Sequence, residues 1–175
     1  MVNTSLGEAV ADRDEKRLAE LYWRHAGEAL RLALLLTSDQ HAAEDIVQDA
    51  FVRLFGRFRE LRSPDAFETY LRRTVVNLSR DRFRRLRSER NYAAQRANSS
   101  SRQTGVASQI EDREVIRHAL QSLPHRQRAA LILRFYADLS EYETAEVLQC
   151  SVAAVKSLVS RATATLREQM RGEVP

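Results

Sequence analysis

Two helix starts stand only eleven residues apart near the C-terminal end of this chain, at Ser140 and Ser151. Ser140 with Glu143 makes a capping box, in which each side chain satisfies an orphan amide of the first turn. Ser151 is a second N-cap ahead of a longer periodic run that ends near Met170. Helices this close in sequence have no room to run back along one another as a long hairpin. They must cross steeply, which is the helix-turn-helix arrangement. Ala145 falls at their closest approach, where only a small side chain fits. Leu148, Val155 and Leu158 fall where such a motif buries apolar groups. Ala153, Ala154, Lys156, Ser157, Ser160 and Arg161 then share the outward face of the second helix. Small, hydroxyl-bearing and cationic residues on one face suit a helix lying in the DNA major groove. The alternative on this segment alone is an ordinary three-helix core with a solvated polar face. The turn residue is Gln149 where Gly is usual, and a non-Gly residue in the left-handed conformation costs about 1 kcal/mol.

The rest of the chain is also read as helical. Only five Gly and three Pro interrupt 175 residues, and hydrophobic residues make up 43%, enough for real cores. Leu18, Leu21, Tyr22, Ala29, Leu32, Ala33 and Leu36 form one helical stripe. Ser38 and Asp39 offer an N-cap for the next, which carries Ala43, Ile46, Val47, Ala50, Phe51, Leu54, Phe55 and Phe58. Ser63 and Pro64 start a third helix with its stripe at Phe67, Tyr70, Leu71, Thr74, Val75 and Leu78. Together these make a self-contained bundle over residues 16–90, preceded by an N-terminal tail, 1–15. Residues 91–109 are polar, Ser-rich and aperiodic, and read as a flexible linker. Periodicity resumes over 110–171 with Val115, Ile116, Ala119, Leu120 and Leu123. A helix from Pro124 follows, carrying Ala130, Leu131, Leu133 and Tyr136, and then the helix-turn-helix. The expected fold is all-α: two small helical domains on a string.

Charge is informative by its placement. The net charge is only +4, but 26 of the 28 basic residues are Arg, the exceptions being Lys16 and Lys156. A GC-rich genome explains most of that bias. It does not explain six Arg between Arg80 and Arg90 against two acids, Asp81 and Glu89. Arg on successive helical turns tracks a phosphate backbone, and Asn77 just before them has both donor and acceptor for a base edge. A solubilising helix end, with cations near its C-terminus, is the competing reading. Asp45 and Asp49 share a helix face with Gln48 between them, opposite the apolar stripe. That patch suits docking of a basic partner, or is simply solvated.

Enzyme signatures are missing from the pattern. The Gly residues do not cluster into a phosphate-cradling loop, and the four His lack metal-ligand spacing. No catalytic residue, metal or cofactor is expected. One Cys, Cys150, cannot form an internal disulfide and fits a reducing cytoplasm. The first fifteen residues have no apolar core of a signal peptide, and the run Ala29 to Leu36 is too short to span a bilayer. Cytoplasmic localisation without membrane insertion is expected.

Three segments in this order resemble an extracytoplasmic-function (ECF) sigma factor of the sigma-70 family of bacterial RNA polymerase subunits. AAEDIVQDAFVRLF looks like the polymerase-binding helix of region 2. SPDAFETYLRRTVVNLSRDRFRR looks like the part of region 2 that melts and reads the −10 element. SLPHRQRAALILRFYADLSEYETAEVLQCSVAAVKSLVSRA looks like region 4, which reads the −35 element. The resemblance implies that Asp45, Gln48 and Asp49 dock on the largest-subunit clamp, with the flap of core polymerase as a further contact. It implies that Asn77 and the loop from Leu61 to Asp65 hold a flipped non-template base, at an extrusion cost of a few kcal/mol. Arg73, Arg80 and Arg84 would neutralise phosphates beside the melted region. In region 4 the resemblance gives Lys156, Ser157, Ser160 and Arg161 as recognition positions and Arg134 as a backbone contact. Ser151 would turn the helix N-terminus toward phosphate. The linker's aperiodic stretch from Ala93 to Ser108, about 16 residues, reaches roughly 55 Å when extended, more than the roughly 35 Å of one duplex turn that separates two such elements at the least.

Three positions depart from the family pattern: Tyr70 where Trp is common, Gln149 in place of the turn Gly, and Leu158 where many members have Arg. The implied partners are core RNA polymerase, promoter DNA as duplex and as melted strand, and an anti-sigma factor. A stand-alone helix-turn-helix regulator binding operator DNA is the alternative reading.

Overall fold

A computed structural model describes residues 3–56, 64–96 and 111–172, and every regular element among them is helical. The order is α1 (Asn3–Thr37), α2 (Gln40–Phe55), α3 (Pro64–Arg96), α4 (Glu111–Ser122), α5 (His125–Phe135), α6 (Glu141–Leu148) and α7 (Val152–Gly172). Residues 3–15, expected as a tail, extend α1 instead. They contain no Pro, and a helix already nucleated by a packed C-terminal half propagates cheaply through them. Residues 91–96 of the expected linker likewise continue α3.

The breaks fall where backbone chemistry dictates. Ser38 takes a left-handed conformation, φ 56°, and ends α1. Asp39 then caps α2, its carboxylate accepting the Ala42 N–H at 3.1 Å. That hydrogen bond, with the Arg82 guanidinium 3.0 Å away, holds the Asp39 carboxyl below its usual range. Pro64 occupies the first position of α3, where its missing N–H costs nothing.

α1, α2 and α3 pack as a bundle on Leu32, Ala33, Leu36, Ile46, Ala50, Leu54, Phe67, Leu71 and Val75, all buried. α4 to α7 form the second unit, in which Leu120, Leu123 and Ala162 make a small core of their own. The units are not apart. Ala129, Ile132, Leu133, Leu139 and Val147 belong to the same continuous core as α1–α3. α1 packs on α4 and α5, and α3 packs on α5 and α6.

Polar groups reinforce this seam. Arg128 of α5 is buried, and its Nη1 donates to the Leu36 carbonyl in the last turn of α1 at 2.6 Å. Its Nη2 donates to the carbonyls of Gln121 and Leu123 at the end of α4, at 3.0 and 3.2 Å. One guanidinium thus closes two helix C-termini, where the macrodipole favours a cation. That environment holds a buried charge with no carboxylate beside it among the described residues, although burial still pulls its pKa down.

Several expected core positions lie outside. Tyr22, Phe55, Val115, Ile116 and Tyr136 are exposed, while Leu158 is only half-buried. Tyr136 is the C-cap of α5 rather than part of its helical face. Phe58 lies outside the described residues.

The capping box at α6 is formed as the spacing requires. Glu143 N–H donates to Ser140 Oγ at 3.2 Å and the Ser140 N–H donates to Glu143 Oε2 at 2.7 Å. Ser140→Ala is expected to lower unfolding free energy by about 1 kcal/mol in urea titration, the usual cost of a lost N-cap. The Glu143 carboxyl, held low by its bonds to Ser140, adds stability above its unfolded pKa that is lost as pH falls through the folded one.

Candidate polymerase and nucleic-acid interfaces

α2 presents one face to solvent because its other face is committed. Ile46, Val47 and Ala50 are buried, so Asp45, Gln48 and Asp49 are exposed together one helical turn apart. Beside them lies an apolar groove of about 480 Å³ between α1 and α2, lined by Leu18, Tyr22, Trp23, Phe51, Val52 and Phe55. Trp23 is 82% exposed and Val52 65%, so no described residue covers this surface. Large apolar side chains left uncovered beside a fixed charge pattern mark a surface built for a partner. The sequence stripe had placed Phe55 in the core and passed over Val52 and Trp23.

A second site forms where α3 passes the end of α2. Tyr70, Arg73, Thr74 and Asn77 of α3, Arg53 of α2 and Gln149 line a cavity of about 520 Å³. Asn77 is half-buried and has no side-chain hydrogen bond among the described residues, leaving its amide free to meet a ligand. Arg53 and Thr74 were not expected here; only packing of α2 against α3 brings them in. Arg73 donates to the Glu146 carbonyl at 3.0 Å, and its guanidinium lies 3.9 Å from the Glu146 carboxylate. Arg80 is half-buried beside Asp81 at 3.7 Å, and Arg84 is exposed. Leu61 lies outside the described residues, as do the other expected pocket-loop residues before Pro64.

The third surface is the outer face of α7. Gln149 is left-handed, φ 50° and ψ 54°, as the tight turn requires. The Cys150 N–H bonds the Ala145 carbonyl and the Gln149 N–H the Glu146 carbonyl, a Schellman closure made without Gly. Ser151 Oγ then accepts the Ala154 N–H at 3.2 Å and fixes the start of α7. Ala145 and Val155 are buried at the crossing. Ala153, Lys156, Ser160 and Arg161 are exposed, while Ala154 and Ser157 are half-buried. Lys156 lies 3.4 Å from the Glu141 carboxylate. Arg134 is half-buried, and its guanidinium donates to the Leu139 carbonyl, tying α5 to the start of α6.

Two clusters elsewhere have a structural explanation. His25, Glu28 and Glu68 converge closely enough to hold a cation. The Arg72 guanidinium already bridges both carboxylates, at 2.7 and 2.5 Å, and supplies the positive charge. At the seam, His125 Nε2 lies 2.9 Å from Ser79 Oγ, which itself donates to the Val76 carbonyl. The serine proton being so directed, the imidazole donates through Nε2–H.

Burial, then the charges of Arg128 and Arg80, push the His125 pKa down to about 4. The folded value lies below the unfolded one, so this group favours folding above about pH 6.5 and the benefit is lost as pH falls toward 4. Going from pH 7 to pH 5 is expected to cost about 2 kcal/mol through this residue. Urea titrations of wild type and His125→Gln at both pH values read that term as their difference.

Known proteins carry the same two units. A family model for Sigma-70 region 2 matches residues 21–89, and one for Sigma-70, region 4 matches residues 113–166. The RNA polymerase sigma-E factor of Streptomyces coelicolor is 32% identical over 141 residues, covering 81% of this chain and 78% of that protein. The chain is an ECF sigma factor of the sigma-70 family. A probable RNA polymerase sigma factor, RfaY of Xanthomonas campestris, is 34% identical over 149 residues, and there the match spans about a third of the relative, 36%, and 79% of this chain. The sigma factor RpoE of Bartonella quintana, solved in complex with the anti-sigma factor NepR, shares the fold with TM-score 0.66 at 21% identity, covering 91% of this chain and 99% of that one. This ECF sigma factor therefore works as a transcription initiation factor with core RNA polymerase and promoter DNA. Among the described residues no helix is long and apolar enough to cross a membrane.

Proposed function

We propose that the three surfaces divide promoter recognition among them. The exposed Asp45, Gln48 and Asp49 face, continued by the apolar groove at Trp23, Val52 and Phe55, docks on the clamp of core polymerase. The cavity at Asn77 takes a base flipped from the melted non-template strand of the −10 element. Tyr70 offers a ring to stack on that base, and Arg53, Arg73, Arg80 and Arg84 neutralise the flanking phosphates. The outer face of α7, with Lys156, Ser157, Ser160 and Arg161, reads the −35 element in the major groove.

The observation that carries this reading is the Asn77 cavity, a polar site with a free amide framed by two arginines and an aromatic ring. A stand-alone regulator has no use for such a site, nor for the exposed acidic face of α2. The chain acts as a cytoplasmic factor without catalysis of its own. An anti-sigma partner fits the same exposed surfaces, since the similar RpoE is held by NepR.

Asn77→Ala removes the base-facing amide and is expected to reduce −10 opening about tenfold, the equivalent of one or two lost hydrogen bonds. Permanganate footprinting of a promoter complex reads the opening, and co-elution with core polymerase is expected to stay as in wild type. Unchanged footprints with Asn77→Ala would place base capture elsewhere.

A further inference from the structure

One side-chain cluster belongs to none of the three surfaces. His25 and Glu28 stand one turn apart on α1, and Glu68 meets them from α3. A ring nitrogen of His25 and one oxygen of each carboxylate all lie within 4.8 Å of one another, and all three side chains are half-buried. Arg72 offers a single nitrogen, Nη2, to both carboxylates, 2.7 Å from Glu28 and 2.5 Å from Glu68.

That guanidinium accounts for only part of the cluster. It neutralises one of two carboxylate charges, and the imidazole takes no share in the ion pair. His25 lies against the Phe67 ring, centroids 5.6 Å apart, and makes no side-chain hydrogen bond among the described residues. A cavity of about 20 Å³, lined by His25, Glu28, Arg72 and Tyr136 among others, adjoins these groups and has room for one water. One imidazole, two carboxylates and a place for a water make a four-ligand set for an ion of the zinc class. Ligand atoms around such an ion stand roughly 3.4 Å apart, a closure that rotation of the two glutamate side chains supplies.

We propose that His25, Glu28 and Glu68 bind a divalent transition metal of the zinc class, which takes the place of the Arg72 nitrogen. The metal neutralises both carboxylates, ties α1 to α3 across the region 2 bundle and releases the guanidinium. Arg72 is then a built-in competitor that holds the two helices together when metal is scarce. The spacing of the four His gave no sign of this site, because Glu68 comes from another helix.

Zn2+ titrated into the full chain against a chromophoric chelator tests the site, in a Cys150→Ser background that removes the thiol. One bound equivalent is expected, with Tm raised by about 5 °C once free Zn2+ exceeds its Kd about a hundredfold. His25→Ala and Glu68→Gln are each expected to weaken binding at least about tenfold. His41→Ala is expected to leave it unchanged, although His41 stands one turn from Asp45 on α2. Arg72→Met is expected to tighten binding at least about tenfold while lowering the Tm of the metal-free chain. Mg2+ is expected to give no rise in Tm, since it has little affinity for an imidazole. Zn2+ binding that survives both His25→Ala and Glu68→Gln would show an adventitious ion only and overturn the site. So would no bound equivalent in either the Arg72→Met or the parent chain. Binding no tighter in Arg72→Met would overturn the exchange with the guanidinium.

Discussion

Asp49→Arg is expected to abolish co-elution with core polymerase and to cut promoter-directed transcription at least about 100-fold. Asp49 is exposed on α2, opposite the buried Val47 and Ala50, so the substitution leaves the bundle core untouched. Its intramolecular cost is a repulsion with Arg53 one turn away, a few tenths of a kcal/mol. At the proposed interface the change replaces an attractive charge by a repulsive one, which costs several kcal/mol, and about 2.7 kcal/mol is already 100-fold. Circular dichroism and thermal unfolding are expected to match wild type. Wild-type co-elution by the variant would remove α2 from the docking surface.

Arg128→Met is expected to lower stability by about 3 kcal/mol in urea titration. Three charge-assisted hydrogen bonds disappear, to Leu36, Gln121 and Leu123. Part of that loss is offset, because Met has no charge to desolvate. What remains uncompensated is the set of carbonyls at the ends of α1 and α4, which no other described side chain reaches. Arg128→Lys restores the charge but, with a compact ammonium, reaches fewer carbonyls, and is expected to recover part of the loss. An effect near zero would mean that the packing of Leu133, Leu139 and Val147 alone holds the units together.

Local features were legible in the sequence because their causes are local. Asp39, Ser140 with Glu143, Ser151 and Pro64 each act within a turn of their own position, and each stands where its chemistry places it. The stripes on α1, α2 and α3 also predicted their buried faces. Periodicity marks an apolar face but does not say what covers it. Val115, Ile116, Phe55 and Tyr136 therefore read as core and are exposed. Polar residues mislead in the opposite direction. Arg128, His125 and Ser79 carry no sequence signal of burial, yet they are buried because their partners come from distant elements. The two units read as beads on a tether for the same reason. Nothing local in α5 announces that Arg128 will close the end of α1. Within the Asn77 cavity, Tyr70, Arg73 and Asn77 follow one helix face, although Tyr70 read as a core position. Arg53 and Gln149 enter only through the tertiary fold.

Run-off transcription with purified core polymerase, the full chain and a random promoter library tests the central claim most directly. The account predicts factor-dependent transcripts whose upstream sequences share two elements more than one helical turn apart. It is contradicted if no such transcripts arise while the chain alone binds duplex DNA tightly.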